Sequence, residues 1–557
     1  MRRTCFLLTL LLLSACATSP SGHDDTVTLS IVGLNDIHGR LSASDTNGGL
    51  VSISAYVNAL RAARADDGGA VLVVDAGDMW QGTLESNLVE GASMVEAYNA
   101  LGVQAATIGN HEFDFGPVGP ESVPTTPTSD PRGALKAGAR AADFPLLAAN
   151  LLDEATGELV TWDNVQPSVL LDIDGMQIGV IGVLTRGTLR TTIAANTHGL
   201  QIGPLAEAIT RETQALREAG ASLVIVVAHA GSFCAQIGDP EDLSSCDSST
   251  ELIRVARQLE PGAVDHIFGG HLSGEMSHIV NGISISMNNP HAYSFGRVDF
   301  RIDRAQQEVV GRTLFPPQVN VVPHPASYEG YPAEPIAEVE RIAVAAAVVA
   351  DRLQNEKLGV VLEKPFPLER SVESALSNLV TEALFETFDV DVVLHNVNGG
   401  LRRGLPAGEL TFGAVYEMFP FDKVLTLLDI PGSDLRRVIG EHAKTRRRLG
   451  FAGMRVFIDC SDQRMQVRML RNNGTAIQDD DRVTVLTNDY LALGGDNIFT
   501  PIIPEGGFDL RYDGPRTRDA LVEWFRRHGG RLDPADWRSV ESSKWNPSDI
   551  IPADCAL

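Results

Sequence analysis

Basic residues are scarce in this chain of 557 residues, which has 45 Lys and Arg against 72 Asp and Glu. The formal net charge is −27 at pH 7. Proteins that bind DNA or RNA carry basic faces, so this balance argues against a nucleic-acid partner. An anionic small molecule would have to be held by local features instead, such as metal ions and a few arginines.

A long apolar run is also lacking at the N-terminus, where the apolar stretch 6–13 follows two arginines. A membrane-spanning helix needs about 20 apolar residues, so this stretch indicates a signal peptide. Residues 13–16, Leu-Ser-Ala-Cys, resemble the bacterial lipobox, in which the cysteine is lipidated and becomes the mature N-terminus. We therefore expect a lipoprotein anchored through Cys16, with a plain signal peptide cleaved nearby as the alternative. The residue after this cysteine is Ala17, and in this respect the chain resembles lipoproteins that are directed to the outer membrane. We therefore expect an exported protein that is anchored to the outer membrane and faces the periplasm or the cell surface.

Cysteine is rare, with six in the chain, and two of these lie in the signal segment. An even number of remaining cysteines in an exported protein predicts two disulfides. Pairing Cys234 with Cys246 would close a small loop, and pairing Cys460 with Cys555 would hold the C-terminal tail. The sequence does not fix this connectivity, and four reduced thiols are the alternative.

A chain of this length is too long for one hydrophobic core and should form at least two domains. Apolar strands alternate with amphipathic helical stretches, such as 50–65 and 84–101, up to about residue 302, which predicts α/β layers. The Pro-rich segment 316–335 breaks this pattern, and 336–355 is then predicted to be one long connecting helix. The expected division is signal peptide 1–16, tether 17–26, first domain 27–315, linker and connecting helix 316–358, second domain 359–540 and tail 541–557.

The second domain is predicted to begin with a helix over 371–388, whose apolar residues share one face. Ser433 is expected to be the N-cap of a later helix, because it follows Pro-Gly. In the first domain, segment 121–133 is rich in Pro, Ser and Thr and is predicted to be a surface loop. Strands of the second domain are expected at 391–394, 424–430, 454–458, 465–469 and 482–486.

Six polar residues each come just after a short apolar run that is predicted to be a strand. In an open α/β sheet, ligands gather outside the carboxyl ends of the strands. Carboxylate, amide and imidazole groups together bind hard or borderline divalent metals. The runs are 27–33, 70–74, 105–108, 223–227 and 264–268. The candidate metal ligands are Asp36, His38, Asp78, Asn110, His229 and His271.

Spacing and chemistry suggest roles within this set. Asp36 and His38 are two residues apart, so they point the same way if the strand continues, and they can share one ion. Asp78 can bridge two ions, because a carboxylate has two oxygens. Two divalent ions (Zn, Mn, Fe or Co) lying ~3.5–4 Å apart can activate a bridging water for displacement at phosphorus. His111 is expected to bind a phosphoryl oxygen, and Asp114 would orient its imidazole.

The motifs that carry these residues resemble those of calcineurin-like metallophosphoesterases. They are Asn35-Asp36-Ile37-His38-Gly39, Gly77-Asp78, Gly109-Asn110-His111-Glu112-Phe113-Asp114, His229-Ala230-Gly231 and Gly269-Gly270-His271. Segment 75–83, Asp-Ala-Gly-Asp-Met-Trp-Gln-Gly-Thr, resembles specifically the 5′-nucleotidase branch, and the similarity covers nearly the whole mature chain.

The resemblance implies an α/β fold class: a four-layer α/β/β/α metallophosphoesterase domain joined by a long helix to a smaller α+β substrate-binding domain. It further implies that Asp78 bridges two metal ions and that His111 and Asp114 form the catalytic dyad. One ion would be held by Asp36 and His38, and the other by Asn110, His229 and His271.

The sequence departs from the family at one ligand position. The family usually has Gln, Asn or His two residues after the last metal-binding histidine, and here that residue is Ser273. A hydroxyl is a weak neutral donor, so we expect the first metal to be bound more loosely, to be completed by water, or to recruit a nearby group such as Glu275 or His278.

The second domain offers two aromatic residues, an acid and an arginine for substrate binding. Phe421 and Tyr490 lie in predicted loops and can sandwich a planar base, a contact worth ~1–3 kcal/mol per base. Asp496 can accept hydrogen bonds from ribose hydroxyls. Arg402, in Gly-Gly-Leu-Arg, can bind phosphate or a ring edge.

These segments resemble the 5′-nucleotidase C-terminal domain, and the resemblance implies Arg370 and Asn398 as further substrate-binding residues. Tyr490 stands where the family more often has Phe, and Val397 stands where it usually has Asn before Gly-Gly. Val372 replaces a second family arginine. These changes concern the details of base and phosphate recognition.

These interpretations predict a lipid-anchored phosphohydrolase that releases phosphate from nucleoside monophosphates, a 5′-nucleotidase, with no protein partner implied. The alternatives within the same superfamily are a 2′,3′-cyclic nucleotide phosphodiesterase with 3′-nucleotidase activity, a nucleotide-sugar or dinucleotide pyrophosphatase, and a thiosulfate-type hydrolase. The alternative of a different class is a surface-anchored nucleotide-binding protein with a degenerate site, which Ser273 keeps open.

Overall fold

The computed structural model describes most of the chain after residue 25. The described residues are 26–44, 47–119, 121–124, 126, 128–306, 308–369, 373–396, 400–420, 423–444, 449–461, 464–505, 507–510, 514–538, 543–546 and 555. The predicted lipidation site Cys16 and the substrate-binding candidates Arg370, Asn398 and Phe421 lie outside these residues. Within the described part, no helix is long and apolar enough to cross a membrane.

The first domain is built on two sheets. In the larger sheet the central strands run parallel, and the described strands follow the spatial order Glu308–Leu314, Ser294–Asp303, Thr26–Leu34, Ala70–Asp75, Ala105–Thr107, Leu146–Leu147 and Val165–Gln166, with Gln318–Val319 paired to Ser294–Asp303. In the smaller sheet the order is Met276–Val280, Ile283–Met287, His266–Gly269, Leu223–His229, Met176–Leu184 and Ser168–Ile173. All five strands predicted for this domain are present, and each carries a candidate ligand at or just beyond its carboxyl end.

The two sheets pack face to face, and helices cover their outer faces. Leu29, Leu72 and Ile225 belong to the fully buried core between the sheets. Gly33 is required there, because a Cβ atom at this position would lie 2.0 Å from the Cδ1 of Phe268. Burial of an aliphatic side chain such as Leu29 contributes roughly 1.5–3 kcal/mol to the free energy of unfolding. The helices Gly49–Asp67, Ala92–Leu101 and Gly133–Ala141 pack on the larger sheet, and Leu205–Glu218 and Glu251–Gln258 pack on the smaller one. The predicted four-layer α/β/β/α arrangement is confirmed.

Two local predictions were wrong. The helix expected over 84–101 is two helices, Leu84–Asn87 and Ala92–Leu101, because Gly91 between them has φ +83°. Ser433 is not an N-cap, since the helix Gly432–Ala443 begins one residue earlier and has no side-chain cap.

The segment before the connecting helix packs against the first domain. Its hairpin of Ser327–Tyr328 and Tyr331–Pro332 contacts the helix Gly49–Asp67, where the Tyr328 and Tyr56 rings lie 5.2 Å apart. The connecting helix spans Ala337–Gln354, close to the predicted 336–355, and packs on helices of the first domain. Near its end, Ala350 lies in one apolar cluster with Leu84 of the first domain and Tyr416 of the second. The helix therefore contacts both domains.

The second domain is a smaller α+β unit. Its first helix is Ala375–Thr387, where the Ser374 hydroxyl caps the N–H of Ser377 at 3.0 Å. One sheet has the order Leu425–Pro431, Arg482–Asn488, Val392–Asn396 and Leu449–Ala452. Two smaller sheets have the orders Gly408–Thr411, Lys357–Leu362, Gly530–Leu532 and Arg464–Arg471, Met454–Ser461, Trp545–Asn546. Its other described helices are Phe412–Met418, Gly432–Ala443, Asp489–Ala492, Thr517–His528 and Pro534–Trp537.

Both predicted disulfides are present. One joins Cys234 to Cys246, shortly after His229, and the other joins Cys460 to Cys555 and holds the C-terminal tail. The structure thus fixes the connectivity that the sequence left open.

Candidate active site

All six candidate metal ligands meet at the carboxyl edges of the two sheets. The ends of parallel strands lie at one edge, so side chains that are distant along the chain come together there. His229 is the last residue of its strand, and the others lie in the loops that follow their strands. The residues brought together are Asp36, His38, Asp78, Asn110, His229 and His271.

The spacing argument assumed that the strand continues through Asp36 and His38. In the structure these two residues lie in a loop instead. The strand ends at Leu34, and the two residues have φ +49° and +51°. Their backbones instead run beside the neighbouring loop, because Asp36 N–H donates to Gly77 O at 2.9 Å and His38 N–H to Asp78 O at 3.0 Å. Non-glycine residues with positive φ cost free energy and cluster at functional sites.

Four side chains converge in the arrangement that a single metal ion requires. The Asn110 Oδ1 atom lies 3.0 Å from His229 Nε2 and 2.9 Å from His271 Nδ1. These two nitrogens are 3.2 Å apart, and His229 Nε2 lies 3.3 Å from Asp78 Oδ2. A tetrahedral ion with bonds of ~2.1 Å holds its ligands about 3.4 Å apart. The donor set therefore fits a divalent ion.

A second group of donors lies beside the first. Ligand atoms of His38, Asp78 and His111 lie within 4.8 Å of one another. The His38 Nδ1 atom donates to Gln81 O at 2.9 Å, which leaves Nε2 available as a ligand. The Asp36 carboxylate lines the same cavity and accepts the backbone N–H of His271 at 2.9 Å.

Electrostatics keep His38, His271 and Asp78 in metal-binding forms. Burial lowers the pKa of His38 to about 4 and that of His271 to about 3, so both are neutral at pH 7. Burial raises the pKa of the Asp78 carboxyl, but His229 and His111 lower it more, and it lies well below its usual range. Burial lowers the pKa of His229, but Asp78 raises it more, to about 10. His229 is therefore protonated at pH 7, and a metal ion bound by it would displace this proton.

The two residues predicted to form the dyad, His111 and Asp114, are in contact in the structure. The His111 Nδ1 atom lies 2.6 Å from Asp114 Oδ2, and Asp114 Oδ1 accepts the Thr192 hydroxyl at 2.7 Å. The backbone N–H of His111 donates to Asp78 Oδ1 at 2.9 Å, which ties the dyad to the candidate bridging carboxylate. Burial lowers the pKa of His111, but Asp114 and Asp78 outweigh it and raise the pKa above its ordinary value.

Sequence reasoning missed the role of Glu112. Its fully buried carboxylate accepts the backbone N–H groups of Asp78 at 3.0 Å, Met79 at 2.8 Å and Gly109 at 2.7 Å. It therefore holds together the two loops that carry Asp78 and Asn110. The acid stands inside the quoted motif, but nothing in the sequence says which N–H groups it would accept.

The surroundings of Ser273, where the family has a further metal ligand, differ from those expected. Ser273 is exposed and lines the cavity. His278 lies beside the disulfide instead, with Nε2 3.9 Å from Cys246 Sγ, and Glu275 accepts the Ser294 hydroxyl at 3.3 Å. His291, which the sequence did not single out, lines the cavity with its ring 4.7 Å from that of His38.

The second domain closes the site into a cavity of about 720 Å³. Arg402, Tyr490 and Asp496 line it opposite the candidate ligands. The Tyr490 hydroxyl donates to Asp496 Oδ1 at 3.1 Å, and Asn396 Nδ2 donates to Asp496 Oδ2 at 2.5 Å. The described substrate-binding candidates are therefore in the same cavity as the dyad.

Comparisons with known proteins agree with this architecture. Residues 29–273 match the family model of calcineurin-like phosphoesterases, and residues 357–502 match that of the 5′-nucleotidase C-terminal domain. The endonuclease YhcR of Bacillus subtilis is 25% identical over 536 residues, which are 91% of this chain and 40% of YhcR. The chain thus spans well under two thirds of that relative. A 5′-nucleotidase of Vibrio cholerae is 25% identical over 465 residues, which are 76% of this chain and 77% of that protein.

Among solved structures, a 5′-nucleotidase precursor from Thermus thermophilus has the same fold. It superposes with a TM-score of 0.65 at 22% identity and covers 90% of this chain and 97% of its own. The chain therefore belongs to the metallophosphoesterases in which a calcineurin-like phosphoesterase domain is followed by a 5′-nucleotidase C-terminal domain.

Proposed function

We propose that the protein is a metal-dependent phosphohydrolase that releases phosphate from nucleoside monophosphates, a 5′-nucleotidase. One observation carries the proposal: the convergent donors around Asn110 Oδ1 and the His111–Asp114 dyad share one cavity with Tyr490 and Asp496. A phosphoryl group and a nucleoside could be bound there at the same time.

The family implies divalent metal ions, and we propose two, of Zn, Mn, Fe or Co. Asp36 and His38 would hold one ion and Asn110, His229 and His271 the other, with Asp78 shared. When bound, such ions activate a water molecule and neutralise charge on the phosphoryl oxygens. The neutral state of His38 and His271 is the state that such binding needs.

The residues of this chain then bind and orient the substrate. His111 would donate to a phosphoryl oxygen, because Asp114 orients its imidazole through Nδ1 and the residue lines the cavity. Tyr490, with Phe421, would stack on the base, and Asp496 would accept the ribose hydroxyls. Arg370, Asn398 and Arg402 would contact phosphate or base edges.

Export and anchoring are part of the proposal. The two disulfides are typical of proteins folded in an oxidising compartment. A relative that is 24% identical over 546 residues is a cell wall protein of Listeria monocytogenes. We propose that lipidated Cys16 tethers the protein to the outer membrane.

The test is phosphate release by the purified protein supplied with Mn, Zn or Co. A panel of AMP, 3′-AMP, 2′,3′-cyclic nucleotides, UDP-glucose and NAD separates the 5′-nucleotidase from those alternatives that act on nucleotides. Preferential hydrolysis of AMP supports the proposal, whereas preference for a cyclic or pyrophosphate substrate supports the corresponding alternative. No turnover of any nucleotide by protein that has bound metal would instead indicate a nucleotide-binding protein with a degenerate site.

A further inference from the structure

Lys423, in the second domain, extends its side chain to the His111–Asp114 dyad of the first domain. Its carbonyl oxygen accepts the Thr517 N–H at 2.9 Å and the Thr517 hydroxyl at 3.1 Å, and Val424 next to it forms a β-bridge with Arg516. Its backbone is thus fixed within the second domain. Its Nζ atom lies 3.9 Å from Asp114 Oδ1 across the domain interface.

The ammonium group of Lys423 is buried and lacks a hydrogen-bond acceptor among the described residues. Its side chain is 8% exposed, and Nζ makes no hydrogen bond to any of them. Each oxygen of Asp114 already accepts one hydrogen bond, Oδ2 from His111 at 2.6 Å and Oδ1 from Thr192 at 2.7 Å. Because a buried charge without hydrogen bonds is costly, an acceptor is expected when the site is in use.

The surroundings limit what this acceptor can be. Nζ lies 5.5 Å from the centre of the Tyr490 ring, and Lys423 lines the cavity with His111 and Arg402. A second buried carboxylate, Asp489, hydrogen-bonds the N–H of Tyr490 at 2.8 Å through Oδ1, and its Oδ2 atom has no hydrogen bond to a described residue. An anion that enters the cavity would therefore come within reach of this ammonium group.

We propose that Lys423 is a phosphate-binding residue of the active site, contributed by the second domain, and that it favours phosphomonoesters over phosphodiesters. The inference rests on the proposed phosphohydrolase function and specifies its substrate class. A monoester dianion has a further anionic oxygen that the ammonium group can bind, whereas the corresponding oxygen of a diester is esterified. The phosphate site is complete only when the two domains are in contact, as in this structure.

The test compares Lys423→Met and Lys423→Gln with wild type and with Lys357→Met. Lys357 is 65% exposed and paired with Glu409, so its variant removes one positive charge from the same domain without changing the cavity. Binding of orthophosphate to metal-loaded protein is measured by calorimetry, together with metal content and melting temperature. Hydrolysis is measured on p-nitrophenyl phosphate and bis(p-nitrophenyl) phosphate.

Both Lys423 variants should weaken orthophosphate binding roughly 10- to 100-fold, the loss expected for a hydrogen bond between charged groups. They should lower kcat/KM for the monoester at least tenfold more than for the diester, with metal content unchanged. Orthophosphate affinity within twofold of wild type in a folded variant would overturn the proposal, as would equal loss on both esters. If wild type hydrolyses no phosphate ester, the proposed function fails, and the orthophosphate titration still decides the role of Lys423.

Discussion

The carboxylate of Glu112 accepts the backbone N–H of Asp78 at 3.0 Å, in a part of the core where neither residue is more than 2% exposed. The same carboxylate accepts the N–H of Gly109, next to Asn110. One acid therefore sets the distance between the loops that carry Asp78, the candidate shared carboxylate, and Asn110, the candidate amide ligand. Groups of this kind, behind the metal ligands, tune affinity because they fix ligand geometry.

Glu112→Gln should lower metal affinity about 10- to 100-fold, the range found for such supporting residues. The amide would turn an N–H donor toward a backbone N–H, so one hydrogen bond is replaced by a repulsion. Metal content after dialysis against graded metal concentrations measures this. Glu154→Gln, at an exposed position, is the control, and equal metal content in both variants would refute the supporting role.

His111→Ala should lower kcat on AMP by roughly 10²–10⁴-fold, the usual contribution of a positioned acid–base group. Metal content should hold, because the hydrogen bond to Asp78 comes from the backbone of residue 111 and survives the substitution. Steady-state kinetics and metal analysis of the same sample test both statements. His198→Ala, at an exposed histidine, should match wild type, and a loss of metal in His111→Ala would indicate a ligand instead.

Tyr490→Ala should raise KM for AMP, because loss of one stacked ring costs ~1–3 kcal/mol. The KM for ribose 5-phosphate, which has no base, should stay near the wild-type value. Tyr490→Phe keeps the ring and loses only the contact with Asp496, so it should retain most of the AMP affinity. Equal effects of Tyr490→Ala on both substrates would exclude base stacking.

Divalent metal should stabilise the fold. The site buries the Asp36 and Asp78 carboxylates, and a ligand at 100 times its Kd adds about 2.7 kcal/mol to the free energy of unfolding. Chelation should therefore lower Tm, and added Mn, Zn or Co should restore it. The increase in Tm on addition of metal should be much smaller in Asp78→Asn than in wild type. An increase as large as that of wild type would show that the stabilising metal binds elsewhere.

The second domain should lose stability in mild acid because of His395. Burial lowers the pKa of this imidazole from 6.5 to about 4, so between these values the unfolded chain binds more protons than the folded one. Its contribution is complete above pH 6.5 and is lost as pH falls, by about 2 kcal/mol between pH 7 and pH 5.

Urea unfolding at the two pH values measures this loss in wild type and in His395→Leu. The variant should show a drop smaller by that amount, whereas the exposed-site variant His198→Leu should behave as wild type. Equal drops in His395→Leu and wild type would show that His395 titrates alike in the folded and unfolded states.

The strands that carry the candidate ligands could be predicted because parallel strands buried on both faces are continuous apolar runs. Five such runs are strands in the structure, and the polar residues after them meet at one edge. The local conformation of the ligand loops could not be predicted in this way. Asp36 and His38 have positive φ, and their loop is fixed by hydrogen bonds to Gly77 and Asp78, some forty residues later.

The sequence by itself determined the order of the elements, the residue types at the strand ends and the family to which they belong. Only the tertiary structure decided which groups meet. Glu112 acquires its role through N–H groups on the preceding loop, and Lys423 through a carboxylate more than 300 residues earlier. Short-range periodicity determines secondary structure, whereas the burial of one charge beside another depends on how two domains pack.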